Sequence, residues 1–490
     1  MIRLSTPLKA LGILALLFFA GSSTVCAQTE YDFVMGDFHT IDIREFVASL
    51  QWEPADRTSA KSPLRISGTP APDNIRWIDR IYNLPDYMHD FYNSYGQKVK
   101  DVLKGETNYL SDPESDATVI KTSKGDCYLA LRKINKKVNY TFSTDGITPE
   151  AKKQLAAETA NEDAQQYIQE LNIFIPYLFM SMNYDFPEAF WVGNSYSSGT
   201  SLSYSWNHLN EAGKDYVEYE LTFLLCLKSS SGFDYRIEPF NTPEAVNAGV
   251  VEFKNLINNI LTDLPNGTRY QQVRYLNDWL TKHNAYCSNY NPANAPKIVW
   301  SPMSALRGTN GNEGPVCEGY SRAFKILCNQ INIPCMLAVG DAKSYVGEQP
   351  ESHMWNEVKM HDGQWYAVDV TWNDPMSPGN NDKLSGLENE KWLLLGKNEV
   401  VAPNLTFAQS HPNSVTFGNN NQISQWDFDC ETLIADENFD VIKNNISQPQ
   451  QTGDVIVYSI LGVKLGTFST IQEATSTLEK ASTSSTAASS

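Results

Sequence analysis

Three residues late in the chain have the types and order of a thiol nucleophile, its base and an orienting acid: Cys317, His353 and Asp369. In such a set the thiolate attacks a carbonyl carbon and the imidazole carries the proton to the leaving amine. The carboxylate fixes the ring tautomer and stabilises the imidazolium. Gly314-Pro315-Val316 closes a loop just before Cys317. Tyr320, Ala323, Phe324 and Leu327 then fall at i, i+3, i+4 and i+7, one face of a helix. Cys317 therefore sits in the first turn of a buried helix. Unpaired N–H groups and the dipole favour an anion there, and the thiolate is the attacking form. Taken alone, the pattern fits a small buried hydrophobe or half of a disulfide equally well.

His353 to Trp372 reads as two strands about a turn at His361-Asp362-Gly363. A two-residue Asp362-Gly363 loop would pair His361 with Gln364 and turn His353 and Asp369 to opposite faces. A three-residue loop instead pairs Met360 with Gln364 and sets Gly363 where a left-handed residue is needed. His353 then faces Thr371, with Asp369 as a same-face diagonal neighbour. The three-residue loop is the expectation. Each residue also has an ordinary reading, His353 as a strand-end surface histidine and Asp369 as a solvated acid near a turn. The succession of helix start, strand and next strand argues against those readings together. The other six histidines, His283 and His411 among them, lack this setting. Cys328 and Cys335 fall at a helix end and a strand start, either bridged or, as preferred here, separate core thiols without a catalytic role.

At these residues the chain resembles the bacterial transglutaminase-like superfamily, the papain-type cysteine fold. The matching motifs are Val316-Cys317-Glu318-Gly319-Tyr320-Ser321, Gly340, His353-Met354-Trp355-Asn356 and Trp365-Tyr366-Ala367-Val368-Asp369-Val370-Thr371-Trp372. Weaker similarity extends to Pro187-Glu188-Ala189-Phe190-Trp191, Asn277-Asp278-Trp279-Leu280 and Lys391-Trp392-Leu393-Leu394-Leu395-Gly396. The resemblance implies an α+β fold with a papain/transglutaminase-like core, a nucleophile helix packed on an antiparallel sheet, beside an N-terminal mixed α/β region. It assigns Cys317 as nucleophile, His353 as base and Asp369 as orienting acid. Two departures stand out. Asn373 occupies the place where the family usually has a second acid, and the His353–Asp369 interval is one residue longer, which the larger turn absorbs. The backbone N–H of Cys317 is one oxyanion donor, with Trp300 and Asn312 as candidates for the rest.

The elements that must position these groups lie in a chain of 490 residues, 41% hydrophobic, 11% aromatic and 19% charged. That length predicts several domains of roughly 100–200 residues, and the aromatic content excludes a mostly disordered chain. With 38 Lys+Arg against 57 Asp+Glu, the net charge is −19. Such a balance argues against nucleic acid as the main partner, and no basic run beyond the N-terminal segment offers a membrane anchor. Arg3, Lys9, the apolar run from Leu11 to Gly21 and Val25-Cys26-Ala27 read as a signal peptide cleaved after Ala27. The rival reading makes Cys26 a lipidated N-terminus. No later stretch is long and apolar enough to span a bilayer, so the mature chain is expected to have no transmembrane segment. The expected location is periplasmic, cell-surface or secreted. Seven cysteines then remain, an odd number, so at least one thiol stays free or pairs between chains.

Residues 1–27 are thus a signal peptide and 28–140 an N-terminal region of unplaced type. Residues 141–266 are a helical and strand extension, 267–412 the catalytic core, 413–452 a linker, and 453–490 a small strand segment with a disordered tail. Asn74 to Leu103 has helical spacing at its start, and Cys127 to Phe142 reads as a strand pair joined near Asn135. Pro149–Met182, Pro243–Leu264 and Arg269–Asn284 read as helices, with Thr148 capping the first. Asn183–Trp206 reads as loop with short strands, and Val217–Leu227 as a buried strand. Val455 to Leu465 resembles a sorting domain for type IX secretion, without its final strand.

The expected activity is that of an exported cysteine enzyme forming a thioester acyl-enzyme from protein or peptide amides, released by water. A transglutaminase, in which a lysine amine takes the acyl group, shares the first half-reaction. A binding module of the same fold and a surface protein with Cys317 in a disulfide complete the alternatives. No metal or cofactor is implied, because no Cys/His cluster has zinc-ligand spacing and no glycine loop fits a phosphate.

Overall fold

The computed structural model describes residues 32–35, 39–42, 75–81, 84–207, 214–287, 294–309, 313–375, 385–412, 432–440, 455–458 and 464–468. The expected signal peptide, Cys26, Asn312, Cys430, most of the linker and the Ser/Thr/Ala tail lie outside them. In chain order the elements are β1 (Asp32–Met35), β2 (His39–Asp42), α1 (Asp86–Lys104), β3 (Val119–Lys121), β4 (Cys127–Asn139), α2 (Pro149–Asp185), β5 (Ser195–Asn207) and β6 (Tyr216–Lys228). There follow α3 (Pro243–Thr262), α4 (Arg269–His283), α5 (Pro302–Arg307), α6 (Cys317–Gln330), β7 (Cys335–Ala342), β8 (Glu351–Lys359), β9 (Trp365–Val368), α7 (Val370–Asn373), β10 (Leu393–Leu395), β11 (Val400–Ala402), β12 (Leu405–Thr406), α8 (Phe407–Ser410), β13 (Val455–Tyr458) and β14 (Lys464–Phe468).

One unit comprises residues 1–43, 113–177 and 195–235. It is an antiparallel sheet in the order β1-β5-β6-β4-β3, with β2 also paired to β5. Ala156, Ala160 and Ala164 recur every four residues on α2 and pack against Ile134, Leu202, Tyr204, Val217 and Leu221. Such small side chains let a helix lie close to a twisted sheet. Thr148 caps α2 as expected, its Oγ1 accepting from the Ala151 N–H at 3.3 Å. The expected turn near Asn135 is not made. β4 runs through it unbroken, with Asn135 paired to Glu220. Asn135-Lys136-Lys137 contains no Gly or Pro to break the strand, and these residues are exposed at its polar end. The 183–206 segment likewise yields one long strand, β5, rather than short pieces.

The second unit comprises residues 44–112, 178–194 and 236–490. Its sheet is antiparallel in the order β10-β9-β8-β7, and α6 packs on β7 and β8. The fold is therefore α+β, a helix on an antiparallel sheet. α6 is buried from Glu318 to Cys328 on all sides. On one side Ser321 Oγ donates to the Met354 carbonyl (2.9 Å), and Asn356 Nδ2 donates to the Ser321 carbonyl (3.0 Å). Ala338, Trp355, Ala367, Trp392, Leu395 and Phe407 form a separate cluster. Thr242 caps α3, and Thr268 with Gln271 makes a reciprocal capping box on α4. The buried stripe of α3 runs Val246, Val250, Phe253, Ile257, with the expected Leu256 only half-buried. Helical spacing before residue 86 yields only a 3-10 turn at Trp77–Arg80, because Pro85 holds Leu84 out of helix and α1 begins at Asp86. No helix of the described residues is long and apolar enough to cross a membrane. β13 and β14 pair with each other.

Candidate active site

The turn between β8 and β9 decides how the site is built. Met360 N–H donates to the Gln364 carbonyl (2.8 Å) and Gly363 N–H to the Met360 carbonyl (3.0 Å). Gly363 has φ +82°, the left-handed conformation expected of a three-residue loop. The register follows, with Lys359 opposite Trp365 and Asn356 opposite Val368. Beyond Val368 the sequence expectation fails. The strand ends, and His353 does not face Thr371. Asp369 instead caps the short helix α7, its Oδ1 accepting from the Trp372 N–H at 3.1 Å. Aspartate is a strong N-cap residue, and this local bond outcompetes continuation of the ladder. His353 pairs across the other side of β8 with Gly340.

Capping still brings the carboxylate to the imidazole. Asp369 Oδ2 accepts from His353 Nε2 at 2.8 Å. His353 also shares a side-chain hydrogen bond with Cys317. With Nε2 on Asp369, Nδ1 is the nitrogen left for the thiol. Cys317 is the first residue of α6, and it is partly exposed where Cys328 and Cys335 are buried. The three predicted residues thus meet, from a helix start, a strand and a helix cap.

A fourth residue joins them that sequence reasoning set aside. His411 Nε2 lies 3.1 Å from the same Asp369 Oδ2. Its ring stacks on Phe407 (4.5 Å between centroids, 10° between planes) and stands edge-on to Trp372 and Trp355. The sequence held no signal for this contact, since His411 follows Asp369 by 42 residues. Its only local clue is the four-residue helix α8, too short to show periodicity.

Burial alone would lower the proton affinity of His353. The Asp369 carboxylate and the Cys317 side chain outweigh it and push the imidazole up to about 10. Burial alone would raise Asp369, but the charge and N–H of His353 and the N–H of His411 hold it well below the usual carboxylate range. For His411, burial dominates over the pull of Asp369 and lowers it to about 4, so it is neutral near pH 7. Two imidazoles on one carboxylate are therefore unlike. His353 is the charged partner and His411 the neutral one. The donor atoms of His353, Asp369 and His411 lie within 4.8 Å of one another, close enough to share a divalent ion. Each imidazole–carboxylate separation is nevertheless that of a hydrogen bond.

The surroundings hold the three elements in register. Asn373, which departs from the family pattern, is buried. Its Nδ2 donates to Asn277 Oδ1 (2.9 Å) on α4, and its Oδ1 accepts from the Trp392 N–H (2.8 Å). An amide serves here as donor and acceptor at once, which a carboxylate could not. Glu318, next to Cys317, accepts from Asn194 Nδ2 at 2.8 Å on both oxygens and pairs with Arg322 at 3.4 Å. Trp300 packs with Cys287, Val299 and Val316, the residue before Cys317, whereas Asn312 is outside the described residues. Cys328 and Cys335 are free thiols hydrogen-bonded to each other, which agrees with separate core cysteines.

Residues 257–370 match the sequence model of the Transglutaminase-like superfamily. This segment is a transglutaminase-like domain. It contains Cys317, His353 and Asp369, and it ends before His411. No curated protein matches the chain. Among solved structures, a candidate cysteine protease from Cytophaga hutchinsonii is similar at 13% identity over 39% of this chain and 70% of that one, with a TM-score of 0.20. A likeness that small carries no argument about fold or activity. The transglutaminase-like assignment rests on the matched segment.

Proposed function

We propose that the transglutaminase-like domain is an exported cysteine enzyme that hydrolyses protein or peptide amides through a thioester on Cys317. The observation that carries this reading is the chain of contacts from Cys317 to His353 to Asp369, ending at a partly exposed thiol. Sγ bonds to the amide carbonyl carbon, and the tetrahedral oxyanion faces the Cys317 N–H at the start of α6. His353 delivers its proton to the amide nitrogen, the C–N bond breaks and an amine or ammonia leaves. The imidazole next takes a proton from water, hydroxide attacks the thioester, the C–S bond breaks and the acid departs. Asp369 keeps Nε2 occupied and balances the imidazolium throughout.

The test is one assay on the mature protein and its Cys317→Ala variant, each with a protein substrate and a fluorescent primary amine. Cys317-dependent fragments, or ammonia without amine incorporation, are expected. Cys317-dependent incorporation would make the domain a transglutaminase instead, with an amine rather than water as acceptor. Silence of both proteins would favour a binding module of the same fold. Export is supported by Arg3, Lys9 and the apolar run ending at Gly21. N-terminal sequencing of the chain recovered outside the cytoplasm should begin at Gln28, and a chain found only inside the cell with Met1 intact would refute export.

A further inference from the structure

The carboxylate of Asp369 receives three N–H donors. His353 belongs to the catalytic reading, the Trp372 backbone bond is the cap of α7, and the third is His411. We propose that His411 is a positioning residue that holds the Asp369 carboxylate in place for His353, a role that rests on the catalytic reading above. Several independent features are built around this contact. The His411 ring is buried and confined by Phe407, Trp372, Trp355 and Trp392, at 4.5, 4.5, 5.0 and 5.3 Å. Its far nitrogen, Nδ1, lies 3.1 Å from Ser410 Oγ, whose single hydroxyl proton is shared between this acceptor and the Lys343 carbonyl at 2.6 Å. The backbone at Ser410 also accepts from the Lys343 N–H at 3.0 Å. The ring is therefore tied at both ends, to the end of β7 and to Asp369.

Gly340 shows that β7 is shaped to admit this segment. A Cβ at Gly340 would lie 2.3 Å from the Pro412 carbonyl oxygen and 2.9 Å from the Trp355 ring. That glycine is the residue opposite His353 in the sheet. The absent side chain lets the chain carrying His411 pass directly over the strand that pairs with the base. The positioning effect is geometric. The Trp372 N–H holds Oδ1 and His353 holds Oδ2, and His411 adds a second donor on Oδ2 that keeps this oxygen aimed at the base as the ring gains and loses its proton.

The role is tested by the rate at which iodoacetamide alkylates Cys317 in the full chain, followed by mass spectrometry across pH. This reads the reactivity of the Cys317 side chain beside His353 without needing a substrate. His411→Phe keeps a ring within the aromatic cage and removes the donor; His411→Gln restores a side-chain N–H. The Phe variant should react about tenfold more slowly near pH 6, the size of one lost hydrogen bond to a charged group. The Gln variant should recover most of that loss. A Phe profile that overlays the wild type overturns the proposal, and so does a Gln variant as slow as Phe, since packing alone would then explain both. Should the Phe variant fail to fold, Ser410→Ala frees Nδ1 and should slow the reaction in the same direction by a smaller factor. An unchanged rate there counts against the clamp. His353→Ala separates the two claims. If it alkylates like the wild type, the catalytic reading falls and takes the positioning role with it. If it slows while His411→Phe does not, the positioning role alone falls.

Discussion

Replacing His353 with alanine is expected to lower kcat/KM by about 10²- to 10⁴-fold, the range contributed by a positioned acid–base group. The substitution removes both the proton carrier and the positive charge that faces Cys317, while the sheet that holds it keeps its backbone pairing to Gly340. Measured on the substrate found in the amine assay, the variant should fall close to the Cys317→Ala floor. Activity within threefold of wild type would remove His353 from the mechanism. Asp369→Asn gives the sign of the electrostatics. The imidazole of His353 is pushed up to about 10 because, despite burial, a carboxylate and the Cys317 side chain favour its charged form. Loss of the carboxylate charge must lower it, so the basic limb of kcat/KM should move toward the ordinary imidazole value. The amide also carries a geometric cost. Three N–H donors converge on the two oxygens of Asp369, and an amide turns its NH₂ against at least one of them. A basic limb that stays in place would show that Asp369 does not set the charge state of the base.

The second large effect is on stability. Glu318→Ala should destabilise the second unit by about 3–5 kcal/mol, the usual loss when one partner of a buried pair is removed. Glu318 is 4% exposed and Arg322 1%. Without the carboxylate, Arg322 keeps a weak 3.4 Å contact to the Pro187 carbonyl and the longer-range pull of Glu188, and Asn194 loses the acceptor of its amide. Denaturant unfolding of wild type and variant measures the difference. Replacing Glu318 and Arg322 together by apolar residues of similar size should recover most of the loss, because no buried charge is then stranded. A single-variant loss under about 1 kcal/mol would mean that Arg322 finds another partner. The same pair anchors the first turn of α6, since Glu318 is the residue after Cys317 and Asn194 grips it from the 178–194 segment.

Local chemistry makes much of this legible in the sequence. The helix after Cys317 was readable because four apolar residues at helical spacing have one stable solution, burial of that face. The three-residue turn was readable because Gly363 offers the left-handed conformation at no steric cost. Thr148 announced the start of α2 for a similar reason, as it satisfies a donor three residues on, whereas α3 and α4 were readable from apolar spacing and their threonine caps emerged in the structure. Errors arose where two local preferences competed. Asp369 could continue a strand or cap a helix, and the cap won. Asn135-Lys136-Lys137 could turn or extend, and pairing with β6 on one side extended it.

The sequence by itself singled out Cys317, His353 and Asp369 as the candidate nucleophile, base and acid, through short-range spacing and turn geometry. Only the tertiary structure decided who else holds the acid. His411 reaches Asp369 because its segment crosses β7 at a glycine and stacks its ring among four aromatic side chains drawn from β8, α7, α8 and the approach to β10. Contacts of that kind depend on which surfaces pack together, and no periodicity along the chain records them.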